Sequence, residues 1–159
     1  MDRVIQVEGL TKAYGELLAV AAISFEVQEG ELFGFLGPNG AGKTTTIRML
    51  TGLARPTSGT ARVLGLDIRA QAAQAKRHIG VVPEQSNLYD ELSARDNLLM
   101  GKLFGVPRGE RRRRAEGLLR MFRLEDRKNS HFAALSRGMK RALTIAAAMV
   151  HHPKLLFLD

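Results

Sequence analysis

The chain has 159 residues, 45% hydrophobic and 25% charged, with 24 Lys and Arg against 16 Asp and Glu for a net charge of +8, the proportions of one globular, water-soluble domain with room for a sizeable core. No apolar run approaches the roughly eighteen residues that cross a bilayer, and the absence of cysteine excludes disulfides and thiolate metal sites. The opening residues, Met1-Asp2-Arg3-Val4-Ile5, carry no apolar signal segment, so a cytoplasmic location is expected.

The first third is patterned for strands. Residues 4–10 and 20–27 alternate apolar with polar positions, and Glu29-Gly30 makes a turn. Residues 32–36, Leu-Phe-Gly-Phe-Leu, are a short apolar run predicted to be a buried strand. A glycine-rich stretch follows, and then Ile47, Leu50 and Ala54 set a helical stripe. Residues 55–59, Arg-Pro-Thr-Ser-Gly, break the chain before a short strand at 60–64, a short helix at 70–78 and a buried strand at 79–82 stopped by Pro83. From Ser93 the composition turns helical. Ser93 reads as a helix cap with Asp96 three residues on, and Leu98, Leu99 and Leu103 follow on one side. After Gly105-Val106-Pro107 a second helix is predicted over 110–122, its arginines outside and Leu118, Leu119 and Phe122 inside. Ser136 caps a further helix with Met139, Ala142, Leu143, Ala146, Met149 and Val150 at helical spacing. Residues 155–159, Leu-Leu-Phe-Leu-Asp, form an apolar run closed by an acid. These divisions give a core over 1–92, a helical subdomain over 93–150 and a last strand over 151–159.

The glycine-rich stretch is Gly37, Pro38, Asn39, Gly40, Ala41, Gly42, Lys43, Thr44 and Thr45. It fits the phosphate-binding pattern of a glycine, four residues, then Gly-Lys-Ser/Thr. Its glycines let successive backbone N–H groups turn inward as an anion nest. Lys43 reaches the β- and γ-phosphates of a nucleotide, and the Thr44 hydroxyl can bind Mg²⁺. A helix starting at the loop adds its positive end. Asp159 closes an apolar strand, and an acid at such an end can hold Mg²⁺ beside the Thr44 hydroxyl, usually through a water.

Residues 108–128 hold nine of the basic and four of the acidic side chains, centred on Arg111, Arg112, Arg113 and Arg114. Such a run reads as a solvated helix face, or as a surface for anionic lipid or nucleic acid. No aromatic residues interleave with the arginines, which speaks against nucleic acid.

Leu135-Ser136-Arg137-Gly138-Met139-Lys140-Arg141 resembles the signature motif of the ATP-binding cassette (ABC) ATPases, commonly Leu-Ser-Gly-Gly-Gln. It lies 92 residues after Thr44 and 23 before Asp159, an order and spacing like the family's. The Met-Lys-Arg ending looks like that of exporters of the antibiotic, multidrug and polysaccharide type. The resemblance covers essentially the whole chain. It implies an α/β P-loop NTPase fold: a mainly parallel central sheet, an antiparallel β portion at the start and a helical subdomain. It implies ATP and Mg²⁺ as ligands, with Tyr14 stacking on adenine and the segment 79–97 serving as the glutamine loop and the helix after it, where the ATPase meets its membrane partner. Ser136 and Gly138 would cover the γ-phosphate held by a second copy in a head-to-tail dimer. The implied partners are that second copy and a separate permease subunit, with no nucleic acid. The chain would then be an ATPase subunit driving export, peripheral on the inner face of the membrane.

The sequence departs from the family at three points. Arg137 stands where glycine is usual. The glutamine position, counted from Pro83, falls on Glu84, with Gln85 next, and both stay open as the residue serving Mg²⁺. The residue after Asp159 would be the glutamate that polarises water, and a histidine would follow further on. His78, His131, His151 and His152 do not occupy that place and read as surface or capping histidines. These 159 residues alone are therefore expected to bind Mg²⁺-ATP weakly and to be inactive or nearly so, with the C-terminal part of the fold missing and the last strand an exposed apolar edge. The alternatives are a catalytically incompetent nucleotide-binding fragment, or a soluble ABC ATPase acting on nucleic acid or ribosomes. The transported substrate is not legible in these residues.

Overall fold

A computed structural model describes residues 2–159, apart from the side chain of Lys102. The chain divides into two compact units, one running to Lys76 and including Asp159, the other Arg77–Leu158.

In the first unit, β1 (Arg3–Tyr14) and β2 (Leu17–Gln28) pair antiparallel, and β3 (Ser58–Val63) and β4 (Leu66–Asp67) extend the sheet in the order β2-β1-β3-β4. Gly15 takes the left-handed conformation in the tight link from β1 to β2 (φ 58°), a place where a side chain would be strained. Ile5, Val7 and Leu10 of β1 are buried together with Val20, Val27, Ala61 and Val63. The helix α1 (Lys43–Leu50) lies against β2 and β3 and buries Ile47, Met49 and Leu50. A short helix α2 (Ala72–Lys76) contributes Ala75.

The predicted strand at 32–36 does not form. A strand needs a neighbour to hydrogen-bond with, and among the described residues none pairs with this stretch. Its period-two pattern is still expressed: Phe33 and Phe35 pack on Phe25, with ring centroids 5.2 and 5.1 Å from the Phe25 ring. Leu32 and Leu36 on the other side are each 97% exposed. The stripe after the loop is also shorter than predicted. α1 ends at Leu50, and Gly52 at φ 67° turns the chain, so Ala54 lies outside the helix.

The second unit holds β5 (Ile79–Val82), α3 (Ala94–Leu99), α4 (Arg108–Met121), α5 (Arg137–Met149) and β6 (Leu155–Leu158). β5 and β6 are parallel, with Ile79 opposite Leu155 and Val82 opposite Leu158. Among the described residues β6 pairs with β5 alone, and Leu158 is exposed, as expected of an edge. The three helices bury Ala94, Leu98, Ala115, Leu119, Leu143 and Ala146 against one another. Ser93 caps α3, its hydroxyl accepting from the Asp96 N–H at 3.0 Å.

Three side-chain placements differ from the reading of the sequence. Leu103 is 68% exposed: after Leu99 the chain tightens into a 3₁₀ turn, Met100–Phe104, and the changed rotation per residue carries Leu103 off the buried face. Four consecutive arginines cannot all face water on a helix of about 3.6 residues per turn. Arg111 turns back to donate to the Val106 carbonyl at 2.8 Å, and Arg114 pairs with Glu110 and donates to the Val150 carbonyl at 3.3 Å. His151 is no surface histidine. It is half-buried, with Nε2 2.9 Å from the Ile79 carbonyl and the ring stacked on Phe104.

Candidate functional site

The glycine-rich loop delivers the chain into α1 through Gly42, which N-caps the helix in the left-handed conformation (φ 83°) with no side-chain cap. The Gly42 carbonyl accepts both from the Thr46 N–H at 2.8 Å and from the Thr46 hydroxyl at 2.9 Å. Thr46 is buried and so pins the helix start. Thr46 was not marked as functional by its sequence; a third threonine in a row is a weak signal, and only its i−4 partner reveals the role. The N–H groups of the first turn have no intrahelical acceptor, and no acidic residue lies in that turn to neutralise the helix end. The loop is closed by Lys43, whose Nζ donates to the carbonyls of Gly37 and Pro38 at 2.7 Å each. An ammonium has three donors, so the third can meet a phosphate oxygen. Within the loop, the Ala41 N–H donates to the Pro38 carbonyl at 3.2 Å, and Asn39, Gly40 and Ala41 are exposed.

The hydroxyl of Thr44 donates to Asp159 Oδ1 at 2.8 Å. The contact joins residues 115 positions apart and sets a hydroxyl and a carboxylate beside the loop. Thr45 is half-buried in the same turn. Mg²⁺ takes oxygen ligands, commonly one or two carboxylates with substrate phosphates and waters, and this donor pair suits it. No cluster of three His, Cys, Asp or Glu exists among the described residues, so nothing there resembles an all-protein metal cage. Tyr14, in the same unit, is 47% exposed at the end of β1, with Lys12 Nζ 4.6 Å from the ring centroid. The ring offers a flat face for stacking.

The remaining candidates belong to the second unit. Glu84 and Gln85 are exposed on the segment that leaves β5. Ser136 N-caps α5 in an extended conformation (φ −63°, ψ 161°), its hydroxyl accepting from the Met139 N–H at 3.3 Å. Gly138 is exposed in the first turn, with nothing within 4 Å of where a Cβ would stand. The structure thus gathers Lys43, Thr44, Thr45, Asp159 and the loop glycines in the unit that carries Tyr14, and Glu84, Gln85, Ser136 and Gly138 in the other.

With this geometry in view, residues 20–159 match the ABC transporter family. Over 157 residues the chain is 44% identical to the Nod factor export ATP-binding protein I of Ralstonia nicotianae, covering 98% of this chain and 49% of that protein. It is 44% identical over 156 residues to the linearmycin resistance ATP-binding protein LnrL of Bacillus subtilis, covering 98% of this chain and 50% of that protein. The chain therefore spans about half the length of these curated relatives. Among solved structures, an ATP-binding subunit of an ABC transporter superposes with a TM-score of 0.87 at 34% identity, over 98% of this chain and 65% of that one. An ATP-binding cassette solved as a dimer in a post-hydrolysis state, bound to ADP and Pi, superposes with a TM-score of 0.87 at 28% identity, over 98% of this chain and 73% of that one.

Proposed function

This chain belongs to the ABC transporter family and has the α/β P-loop NTPase fold of its ATP-binding subunits, and from that premise we propose that it binds Mg²⁺-ATP at residues 37–45 and serves an export-type ABC ATPase. The observation that carries the reading is the 2.8 Å contact between Thr44 and Asp159. It supports the reading because a hydroxyl and a carboxylate, two hard oxygen donors of the kind a nucleotide-bound cation takes, meet in the unit whose helix N-terminus suits phosphate.

In this reading, the N–H groups of the loop and of the first turn of α1 hold the phosphates, and the Lys43 ammonium neutralises their charge. Thr44 and Asp159 would hold Mg²⁺, which when bound spreads the charge that develops on the transferred phosphoryl group. Tyr14 stacks on the base. Glu84 and Gln85 take the glutamine-loop role toward the metal. Ser136 and the Gly138 backbone offer an anion site at the start of α5 for the γ-phosphate held by a second copy, and a dimeric relative bound to ADP and Pi supports a paired arrangement. Among the described residues no helix is long and apolar enough to cross a membrane; in this reading a permease supplies the membrane pathway, and this subunit sits on its inner side. The export names of the relatives support the direction. A nucleic-acid role is less well served. Arg111 and Arg114 are tied to backbone carbonyls and Arg112 to Glu116, so the arginine run does not present four cations to a phosphate backbone.

Asp159→Asn tests the metal arrangement. The wild-type chain is expected to bind ATP more tightly with Mg²⁺ than in EDTA, and the variant to lose that gain while keeping its metal-free affinity. An undiminished Mg²⁺ gain in the variant refutes the assignment of Asp159.

A further inference from the structure

Thr144 is a polar residue in the buried part of α5. It is 3% exposed and lies between buried Leu143 and Ala146. A hydroxyl removed from water needs partners, and Thr144 has two. The Lys140 carbonyl lies 2.8 Å away, one turn back, and the Ser86 hydroxyl lies 2.9 Å away on the segment that follows β5. One order of protons satisfies every group. Thr144 donates to Lys140, the Ser86 hydroxyl donates to Thr144, and the Leu88 N–H donates to Ser86 at 3.3 Å.

Arg141 precedes Thr144 by three positions, on the same face of α5. Its Nη1 donates to the Pro83 carbonyl at 2.6 Å. The two loop residues held in this way, Pro83 and Ser86, bracket Glu84 and Gln85, whose side chains are exposed between them. The far end of the loop is fixed separately. Buried Asn97 accepts from the Tyr89 N–H at 2.9 Å and donates to the Tyr89 carbonyl at 3.0 Å. A stretch of exposed polar residues, which would otherwise sample many conformations, is therefore clamped on both sides. The helix that clamps its first part is the one capped by Ser136.

We infer that Arg141 and Thr144 are positioning residues: they hold the backbone around Glu84 and Gln85 against α5, so that this loop and the Ser136 end of the helix behave as one body. The role given to Glu84 and Gln85 rests on the function proposed above; the clamp itself does not.

The test is hydrogen exchange on the chain, with ATP titrations in Mg²⁺ and in EDTA. Thr144→Val removes the hydroxyl at nearly constant shape. Arg141→Gln, at an exposed position, removes the other anchor without touching the core. In either variant, exchange over residues 84–88 is expected to rise tenfold or more while β5 and the middle of α5 keep their protection. The Mg²⁺ gain in ATP affinity is expected to fall threefold or more with metal-free affinity unchanged, and Thr144→Ser to restore both. Unchanged exchange over 84–88 in both variants, or a rise shared equally by all of α5, overturns the inference. If the wild-type chain shows no Mg²⁺ gain, the proposed function fails, and the exchange pattern alone decides whether the clamp exists.

Discussion

Gly40 and Gly42 sit two residues apart in the same loop at nearly the same φ, 84° and 83°, yet substitution by alanine should cost very different amounts. Left-handed backbone costs an alanine about 1–2 kcal/mol, and both positions incur that. At Gly40 nothing lies within 4 Å of where the new Cβ would stand, so the cost of Gly40→Ala stays near about 1–2 kcal/mol. At Gly42 the Cβ would lie 2.5 Å from the Ala19 carbonyl oxygen and 2.9 Å from Val20 Cγ2. The oxygen is backbone of β2 and cannot swing aside, so α1 or the strand must shift, at about 1–3 kcal/mol for forced overpacking. Gly42→Ala is thus expected to destabilise the chain by about 2–5 kcal/mol, the sum of the two costs. Urea unfolding followed by circular dichroism on both variants measures the difference. Equal losses, or a larger one for Gly40→Ala, would show that the conformation of the loop, and not the close approach of β2, fixes where the helix begins.

The other expected outcomes concern the second unit. Gly117 lies inside α4 with nothing within 4 Å of a Cβ, so Gly117→Ala should stabilise the chain by about 0.5–1 kcal/mol through helix propensity; a lower melting temperature would contradict the open surface there. His151 makes stability depend on pH. Burial is the main cause holding its pKa below the ordinary 6.5, with the nearby positive charge of His152, Arg114 and His78 adding to it against the Ile79 hydrogen bond. With Nε2 on the Ile79 carbonyl, Nδ1 is buried without a partner among the described residues, so a second proton has no acceptor. A histidine with a lowered folded pKa is neutral in both states above the unfolded value, so its contribution is complete there. It is lost as pH falls below about 6.5 toward the folded value, because the unfolded chain takes up the proton first. Urea midpoints between pH 7.5 and 5 should fall more steeply for wild type than for His151→Gln; parallel curves would contradict the burial argument.

Much of this was legible in the residues because it is local. Alternation located β1 and β2, the break at 55–59 announced β3, the Ser93 and Ser136 caps located the starts of α3 and α5, and the loop glycines with Lys43 and Thr44 located the helix N-terminus. What escaped depends on distant neighbours. Residues 32–36 carry the composition of a buried strand, but strand formation is decided by a partner that composition does not record. The arginine run looked uniformly exposed, yet helical rotation turned Arg111 and Arg114 onto carbonyls of Val106 and Val150. His151 looked like a surface residue because its partner, Ile79, is 72 positions away. At the site, strand and loop chemistry put Asp159 near the Thr44 hydroxyl, but their direct hydrogen bond and the hold of Arg141 and Thr144 on the segment after β5 were not legible. A lone threonine on an apolar stripe was the available signal, and its meaning lay in Ser86, 58 positions away.

The most direct test of the account is an amide NMR titration of the chain with Mg²⁺-ATP. Saturable shifts should centre on the backbone N–H groups of Gly40, Gly42, Lys43, Thr44 and Thr45, with the Tyr14 ring responding to the base, and Lys43→Ala should weaken binding at least tenfold, as expected for about 1.5–3 kcal/mol lost with a charged hydrogen-bond donor. Binding that leaves these amides unmoved, or an affinity untouched by Lys43→Ala, would contradict it.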